Sequence, residues 1–240
     1  MLATIWGGAF ENYIHESLTS AFNLQYAKNF TINGEEKFDG VINGQNAVFL
    51  VEDKYAHWSY KAKLIGKRTD MLPALKQIFS DSKKIKGLGQ ITRGIKELES
   101  KKWQFPFSAS GKKIVPVIIV GEIMPLDAFN RKVYEDIAKE AGVFYENESV
   151  LPFIILDTEE VEMIEAIAAR DGTDTVENLL IQYSLMFKER NPDGYVRRSL
   201  SFKNHLHSIR YPVPNNARLL KKFDKVAELV RNKAFPKTTN

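Results

Sequence analysis

Asp39, followed twelve residues later by Glu52-Asp53-Lys54 at the end of the run VFLVEDK, is the part of this 240-residue chain best equipped for chemistry. Side chains alternate along a strand, so Glu52 and Lys54 share one face while Asp53 points to the other. Ionised groups at the end of an otherwise apolar strand are costly unless they are paired or hold a metal. Asp39 lies in KFDGVI, one short hairpin earlier, so it can approach Glu52 across the ladder. Two carboxylates suit a hard Mg²⁺ ion, with water and substrate phosphate completing the octahedron. Such an ion lowers the pKa of bound water and stabilises charge developing on a phosphodiester. Lys54 would hold the attacking water or stabilise the negative transition state.

The elements that must position these residues are legible in the periodicity. Residues 8–22, GAFENYIHESLTSAF, carry Phe10, Tyr13, Ile14, Leu18 and Phe22 at helical spacing. Three extended runs follow, YAKNFTI, KFDGVI and NAVFLVEDKYA, separated by Asn-Gly turn signals, which predicts an antiparallel meander. Val48, Phe49, Leu50 and Val51 leave neither face of the third run polar, as in a strand covered on both sides. Residues 56–102 are polar and read as largely helical, with a piece near 70–80 and a second in GQITRGIKELES. KIVPVIIVGEI then reads as a buried strand, and DAFNRKVYEDIAKEAG as a helix ended by Gly142. VLPFIILD is a second buried strand, followed by the helix EEVEMIEAIAARDG. Beyond it VENLLIQYSLMFKER reads as helical, YPVPNN as irregular and ARLLKKFDKVAELVRNKA as a basic amphipathic helix. The order gives an α/β sandwich around a mixed sheet, distinguished from a doubly wound dinucleotide fold by its antiparallel start.

With this order, the chain resembles the PD-(D/E)XK nuclease superfamily over roughly residues 8–157. The resemblance implies a restriction-endonuclease-like αβββαβ core, a mixed central sheet flanked by helices, with a mainly helical C-terminal extension. The expected division is a nuclease domain over residues 1–172 and a basic extension over 173–240. It also implies a requirement for Mg²⁺ or Mn²⁺, with Asp39 and Glu52 as metal ligands, joined by the backbone carbonyl of Asp53, and Lys54 as the catalytic lysine. Phe38 stands where many members have proline. Glu11, in the opening helix, matches a glutamate that can contact or organise a metal, and Gln90 resembles a glutamine on the helix after the E-x-K strand.

Charge placement bears on partners. Residues Lys54–Lys102 hold 13 Lys/Arg against 4 Asp/Glu, and Lys188–Asn240 again 13 against 4, within an overall charge of +4. A polyanion meeting a carboxylate site fits that distribution, although lysine-rich helices are often only solvated faces. The run YAHWSYKAK after Lys54 interleaves Tyr55, His57, Trp58 and Tyr60 with lysines, able to stack on bases or to pack as a hinge. No cysteine is present, which excludes disulfides, thiolate zinc sites and thiol nucleophiles. Gly87-Leu88-Gly89 lacks a following Lys-Ser/Thr, so no phosphate loop is assigned, and His205 and His207 have no third partner nearby to make a metal site. No run approaches a membrane span and the start lacks a basic leader, so a soluble, cytoplasmic protein is expected. The functional expectation is a Mg²⁺-dependent endonuclease of restriction, phage-defence or repair type, with DNA preferred to RNA as substrate. It acts alone, as a homodimer or as a subunit of a larger complex. The alternatives are a catalytically silent nucleic-acid-binding or protein-interaction module on the same fold, and an unrelated α/β protein in which Asp39 and Glu52 never meet.

Overall fold

A computed structural model describes residues 2–32, 34–55, 87–100, 109–121, 128–140, 148–189, 192 and 200–234. The first helix, α1 (Leu2–Phe22), begins six residues before the periodic stripe starts. Gly7 and Gly8 lie inside it, and nothing stands near where their Cβ atoms would be. The glycines weaken the helical signal in the sequence but meet no obstacle in the fold. Strands β1 (Tyr26–Ile32), β2 (Glu35–Asn43) and β3 (Ala47–Lys54) form the antiparallel meander, turning at Gly34 with φ +77° and at Gly44, whose N–H donates to the Ala47 carbonyl. Helix α2 (Leu88–Glu99) precedes β4 (Lys113–Val120), which pairs parallel to β3 from Ala47↔Lys113 to Lys54↔Val120. Helix α3 (Ala128–Glu140) leads towards β5 (Ile154–Asp157), and the strand order is β1-β2-β3-β4-β5. The protein is thus α/β, a five-stranded mixed sheet flanked by helices.

The last strand is shorter than VLPFIILD suggests. An isolated bridge joins Ile114 to Val150, and the ladder resumes at Val117↔Ile154 with its register moved by one residue. Pro116 and Pro152 sit in that gap, and neither has an N–H to give a ladder. After β5 come α4 (Thr158–Asp171), α5 (Thr173–Leu185), the short α6 (Phe202–Ser208) and α7 (Ala217–Ala234). The seven-residue α6 is too brief for periodicity to reveal, though Ser201 caps it by accepting from the Asn204 N–H. The helix expected near residues 70–80, the run after Tyr55 and Gly142 lie outside the described residues.

Two cores flank the sheet. Phe38, Val48, Leu50 and Ile118 meet Leu88 and Ile91 of α2 and Tyr134 of α3 on one face. On the other, Phe49, Val51, Val117 and Ile119 meet Ile14 and Leu18 of α1, Ile164 of α4, Leu180 and Tyr183 of α5 and Phe202 of α6. Every residue from Ala47 to Asp53 is buried. Each large apolar side chain so buried contributes roughly 1.5–3 kcal/mol, which holds the carboxyl end of β3 rigidly in the middle of the sheet. Among the described residues no helix is long and apolar enough to cross a membrane.

Candidate active site

Alternation along β3 sends Val48 and Leu50 to the α2 face and Phe49 and Val51 to the α1 face. Glu52 and Lys54 therefore continue the α2 face, and the Asp53 side chain the α1 face. Asp39 arrives by a departure from alternation. Phe38 and Val41 both belong to the α2-side core although they are three residues apart. A period-two strand cannot do this, so side-chain alternation breaks between Phe38 and Val41, while the pairing with β1 keeps one register from Gly40 to Phe38 and shifts between Phe30 and Thr31, and the pairing with β3 begins at Gly40↔Val51. Asn29 on β1, between the paired positions Lys28↔Gly40 and Phe30↔Phe38, has φ +47°. The irregularity re-aims Asp39: its Oδ2 accepts the Asp53 N–H at 2.7 Å.

The three groups predicted from the sequence converge. Lys54 Nζ donates to Glu52 Oε1 at 2.5 Å and to the Asp53 carbonyl at 3.0 Å, and lies 3.7 Å from Asp39 Oδ2. One cation, the ammonium, is thus surrounded by the same three oxygens expected to ligate a metal. Around it the field is acidic. Glu52, 1 % exposed, is pushed up to about 7 by burial and by Asp39, with Lys54 and the nearby Gly87 N–H at the head of α2 pulling the other way. Burial pulls the Lys54 ammonium down, but Glu52, Asp39 and Asp53 together raise it above its ordinary value. Burial and Asp39 raise the Asp53 carboxyl, whose two oxygens have no hydrogen-bond partner.

Magnesium fits the donor set on one specific observation. Glu52 Oε2 is buried with no hydrogen-bond partner, beside a second carboxylate and a backbone carbonyl, all hard oxygens. Among the described residues no group of three His, Asp or Glu side chains stands together as a metal cage. The remaining positions would fall to the Asp53 carbonyl, water and substrate oxygens, the manner in which Mg²⁺ is ordinarily held.

Glu11 and Gln90 are placed differently. Glu11 sits on α1, at the same end of the sheet but across it from the Glu52 carboxylate, with Oε1 3.7 Å from His15 Nε2. Its charge raises the neighbouring Asp53, Tyr26 and Glu36 groups. Gln90 on α2 donates its amide to the Lys37 carbonyl at 3.2 Å, which pins β2 two residues before Asp39. Two residues, Glu36 and Tyr26, escaped the sequence reading. Burial raises the Glu36 carboxyl, as do Asp39's charge and the hydrogen bond it shares with Asp39. Tyr26 and His15 Nδ1 hydrogen-bond to one another, and the Tyr26 ring covers Gly40, where a Cβ would lie 2.7 Å from it. Helical phase puts Glu11 and His15 in line, but nothing in the sequence marks the diagonal contact that lays Tyr26 over Gly40.

No protein-family model matches the chain, and no curated protein matches it. Among solved structures it superposes on the small subunit of a heterodimeric restriction endonuclease with a TM-score of 0.38 and 12 % identity, over 85 % of this chain and 87 % of that one.

Proposed function

We propose that the protein is a Mg²⁺-dependent nuclease with a restriction-endonuclease-like αβββαβ core that hydrolyses nucleic-acid phosphodiester bonds, DNA in preference to RNA. The observation that carries this reading is the convergence of Asp39 Oδ2, Glu52 Oε1 and the Asp53 carbonyl on a single cationic group at the end of a buried central strand. Asp39, Glu52 and the Asp53 carbonyl would hold the ion, which when bound supplies Lewis-acid stabilisation of charge on the phosphoryl oxygens. Glu52 is the ligand held most rigidly, since burial fixes its rotamer. Asp39 is oriented by the Asp53 N–H, so both carboxylates are set by the backbone of one strand. Lys54 keeps its proton in this acidic surrounding and so acts as a donor, orienting the attacking water or the scissile phosphate. Glu11, with His15 behind it, and Gln90, through its hold on Lys37, position the two sides of the site.

Incubation of supercoiled plasmid and single-stranded DNA with Mg²⁺, Mn²⁺ or EDTA tests this directly. Metal-dependent cleavage is expected, reduced at least 100-fold in Glu52→Ala and roughly 100- to 1,000-fold in Lys54→Met, each shown to be folded by circular dichroism. Cleavage that persists in EDTA, or in Glu52→Ala, rules the site out. Binding without cleavage under every metal supports the silent binding module instead.

A further inference from the structure

From Gly40 to Ile42, β2 is paired on both sides, to β1 through Lys28↔Gly40 and Tyr26↔Ile42 and to β3 through Gly40↔Val51 and Ile42↔Phe49. Before Gly40 it stays with β1, through Phe30↔Phe38, but its pairing with β3 has ended. The sheet thus parts at Gly40, and Asp39 is the first residue in the gap. There its Oδ2 takes the Asp53 N–H in place of a ladder carbonyl. Tyr26 stands at the parting point. Its ring lies over Gly40, where an added Cβ would be 2.7 Å from both Cε2 and Oη. Gly40 has no positive φ, so this contact, and not the backbone, is what requires a glycine. The hydroxyl is hydrogen-bonded to Nδ1 of His15, which is 6 % exposed on α1. Burial, and after it the charges of Asp53, Asp39 and Glu11, push the Tyr26 hydroxyl well up, so it is a neutral group set among the carboxylates of the site. One side chain of β1 thereby joins α1 and β2 at the residue next to Asp39.

We propose that Tyr26 is a positioning residue for Asp39, a wedge that fixes the main chain of β2 at Gly40 and so holds the Asp39 carboxylate on the Asp53 N–H. An aspartate has only two side-chain torsions, so where its carboxylate lies follows closely from where the main chain puts its Cα. No ladder bond to β3 holds the chain there. The ring on Gly40 does, and it is held in turn from α1, whose Ile14 and Leu18 are buried against the sheet. A hydrogen bond weakens steeply once its angle or length departs from the favoured range, so a small shift of Gly40 is enough to release the Asp53 N–H. A leucine in place of Tyr26 would keep an apolar side chain on β1, but it has no ring to rest on Gly40 and no hydroxyl for His15. The consequence for metal binding rests on the nuclease reading, whereas the hold on Asp39 does not.

Hydrogen exchange of the Asp53 amide, followed by NMR in the full chain without metal, reads this hold directly. Asp39→Ala removes the acceptor and sets the unprotected limit. Tyr26→Leu should speed Asp53 exchange by roughly 10-fold or more, while the Phe49 and Val51 amides of the same strand stay within about 2-fold of the wild type. Tyr26→Phe, which keeps the ring on Gly40, should recover most of the protection. Adding Tyr26→Leu to Asp39→Ala should change Asp53 exchange no further, because the tyrosine acts through that carboxylate. Gly40→Ala, which displaces the ring, should copy Tyr26→Leu and carries the test if that variant does not fold. Unchanged Asp53 exchange in these variants overturns the proposal, and so does an equal rise at Phe49, Val51 and Asp53, which would show general loosening of the sheet. Titration with Mn²⁺ then tests the link to the site, where Tyr26→Leu should bind roughly 10- to 100-fold more weakly than the wild type. A wild type that binds no Mn²⁺ while the exchange pattern holds would sustain the hold on Asp39 and sink the nuclease reading, so the two fail separately.

Discussion

Glu52, the proposed metal ligand, is a residue at which the proposed function and stability would pull in opposite directions. Its carboxylate is 1 % exposed, with one oxygen paired to Lys54 and the other without a partner. Burial that raises it to about 7 is an unfavourable interaction with the charged form. Glu52→Gln should therefore leave the metal-free protein as stable as the wild type or more so at pH 8, while a bound ion would compensate the wild-type charge. Thermal unfolding at pH 8 should show the wild type gaining several degrees with millimolar Mg²⁺ or Mn²⁺ and the variant gaining nothing. An equal gain in both would mean that the ion binds elsewhere. The site was legible to different depths. Glu52 and Lys54 follow from alternation on an apolar strand, and Asp39 from the hairpin before it. The geometry that joins them was not, because it depends on a break in alternation between Phe38 and Val41 whose position a strand pattern does not specify. Glu36 was missed for the same reason, since regular alternation gives it no path to Asp39.

Elements hold that geometry through carboxylates far from it. The β2–β3 turn is clamped by Glu177 of α5, whose oxygens accept the N–H groups of Gln45 at 2.8 Å, Asn46 at 2.5 Å and Ala47 at 2.7 Å. The turn sets which residue of β3 faces Asp39, so a helix 130 residues later fixes the site's register. Glu177→Ala leaves the buried Ala47 N–H unsatisfied and hands the exposed Gln45 and Asn46 N–H groups to water, and should lower unfolding free energy by roughly 1–3 kcal/mol in urea titration; a change below about 0.5 kcal/mol would contradict the clamp. At the head of α4, Asp157 accepts the Glu160 N–H and Glu160 returns the bond to Asp157, while also accepting from Lys203. Burial, and then Asp157, raise Glu160 to about 7, with the donated N–H groups opposing. A carboxyl whose folded pKa lies above its unfolded value binds its proton more tightly in the native state. Its contribution is full below about 4.5 and is lost as pH rises through about 7. Glu160→Gln removes that slope at the expense of one acceptor for the Lys203 N–H. The variant's deficit against the wild type should thus shrink by on the order of 2 kcal/mol between pH 5 and pH 8. A deficit constant across that range would show that Glu160 is ionised throughout. The meander and the longer helices were foreseeable from spacing and turn residues, whereas the seven-residue α6 was not. The Glu177 clamp was not, because a glutamate within a helical run looks like any solvated residue until the fold brings the hairpin to it.

At the scale of the molecule, the second half of the chain closes over the first. Arg218 at the start of α7 reaches Glu165 on α4, with Nη2 2.8 Å from Oε2, and Ser17 on α1 at 2.6 Å, while Lys222 pairs with Glu16 at 2.9 Å. Helix α7 is thereby tied by its first turns to α1, the helix that carries Glu11. The ties use Arg218 and Lys222, leaving Lys221 and Lys225 exposed on the same helix. In a protein whose basic residues are concentrated in two segments, such cations would, on the nuclease proposal, be available for phosphates of a bound strand, and their contribution would be counterion release. Replacing both Lys221 and Lys225 with glutamine should leave the unfolding midpoint unchanged, because neither holds the fold. It should weaken nucleic-acid binding most at low salt and reduce the slope of log K against log salt by roughly 1–2. The comparison with Lys222→Gln separates the roles, since that variant should also loosen α7 and lower thermal stability. A salt slope that is the same in wild type and the Lys221/Lys225 variant would place the polyanion elsewhere and leave α7 with only its structural attachment to α1 and α4.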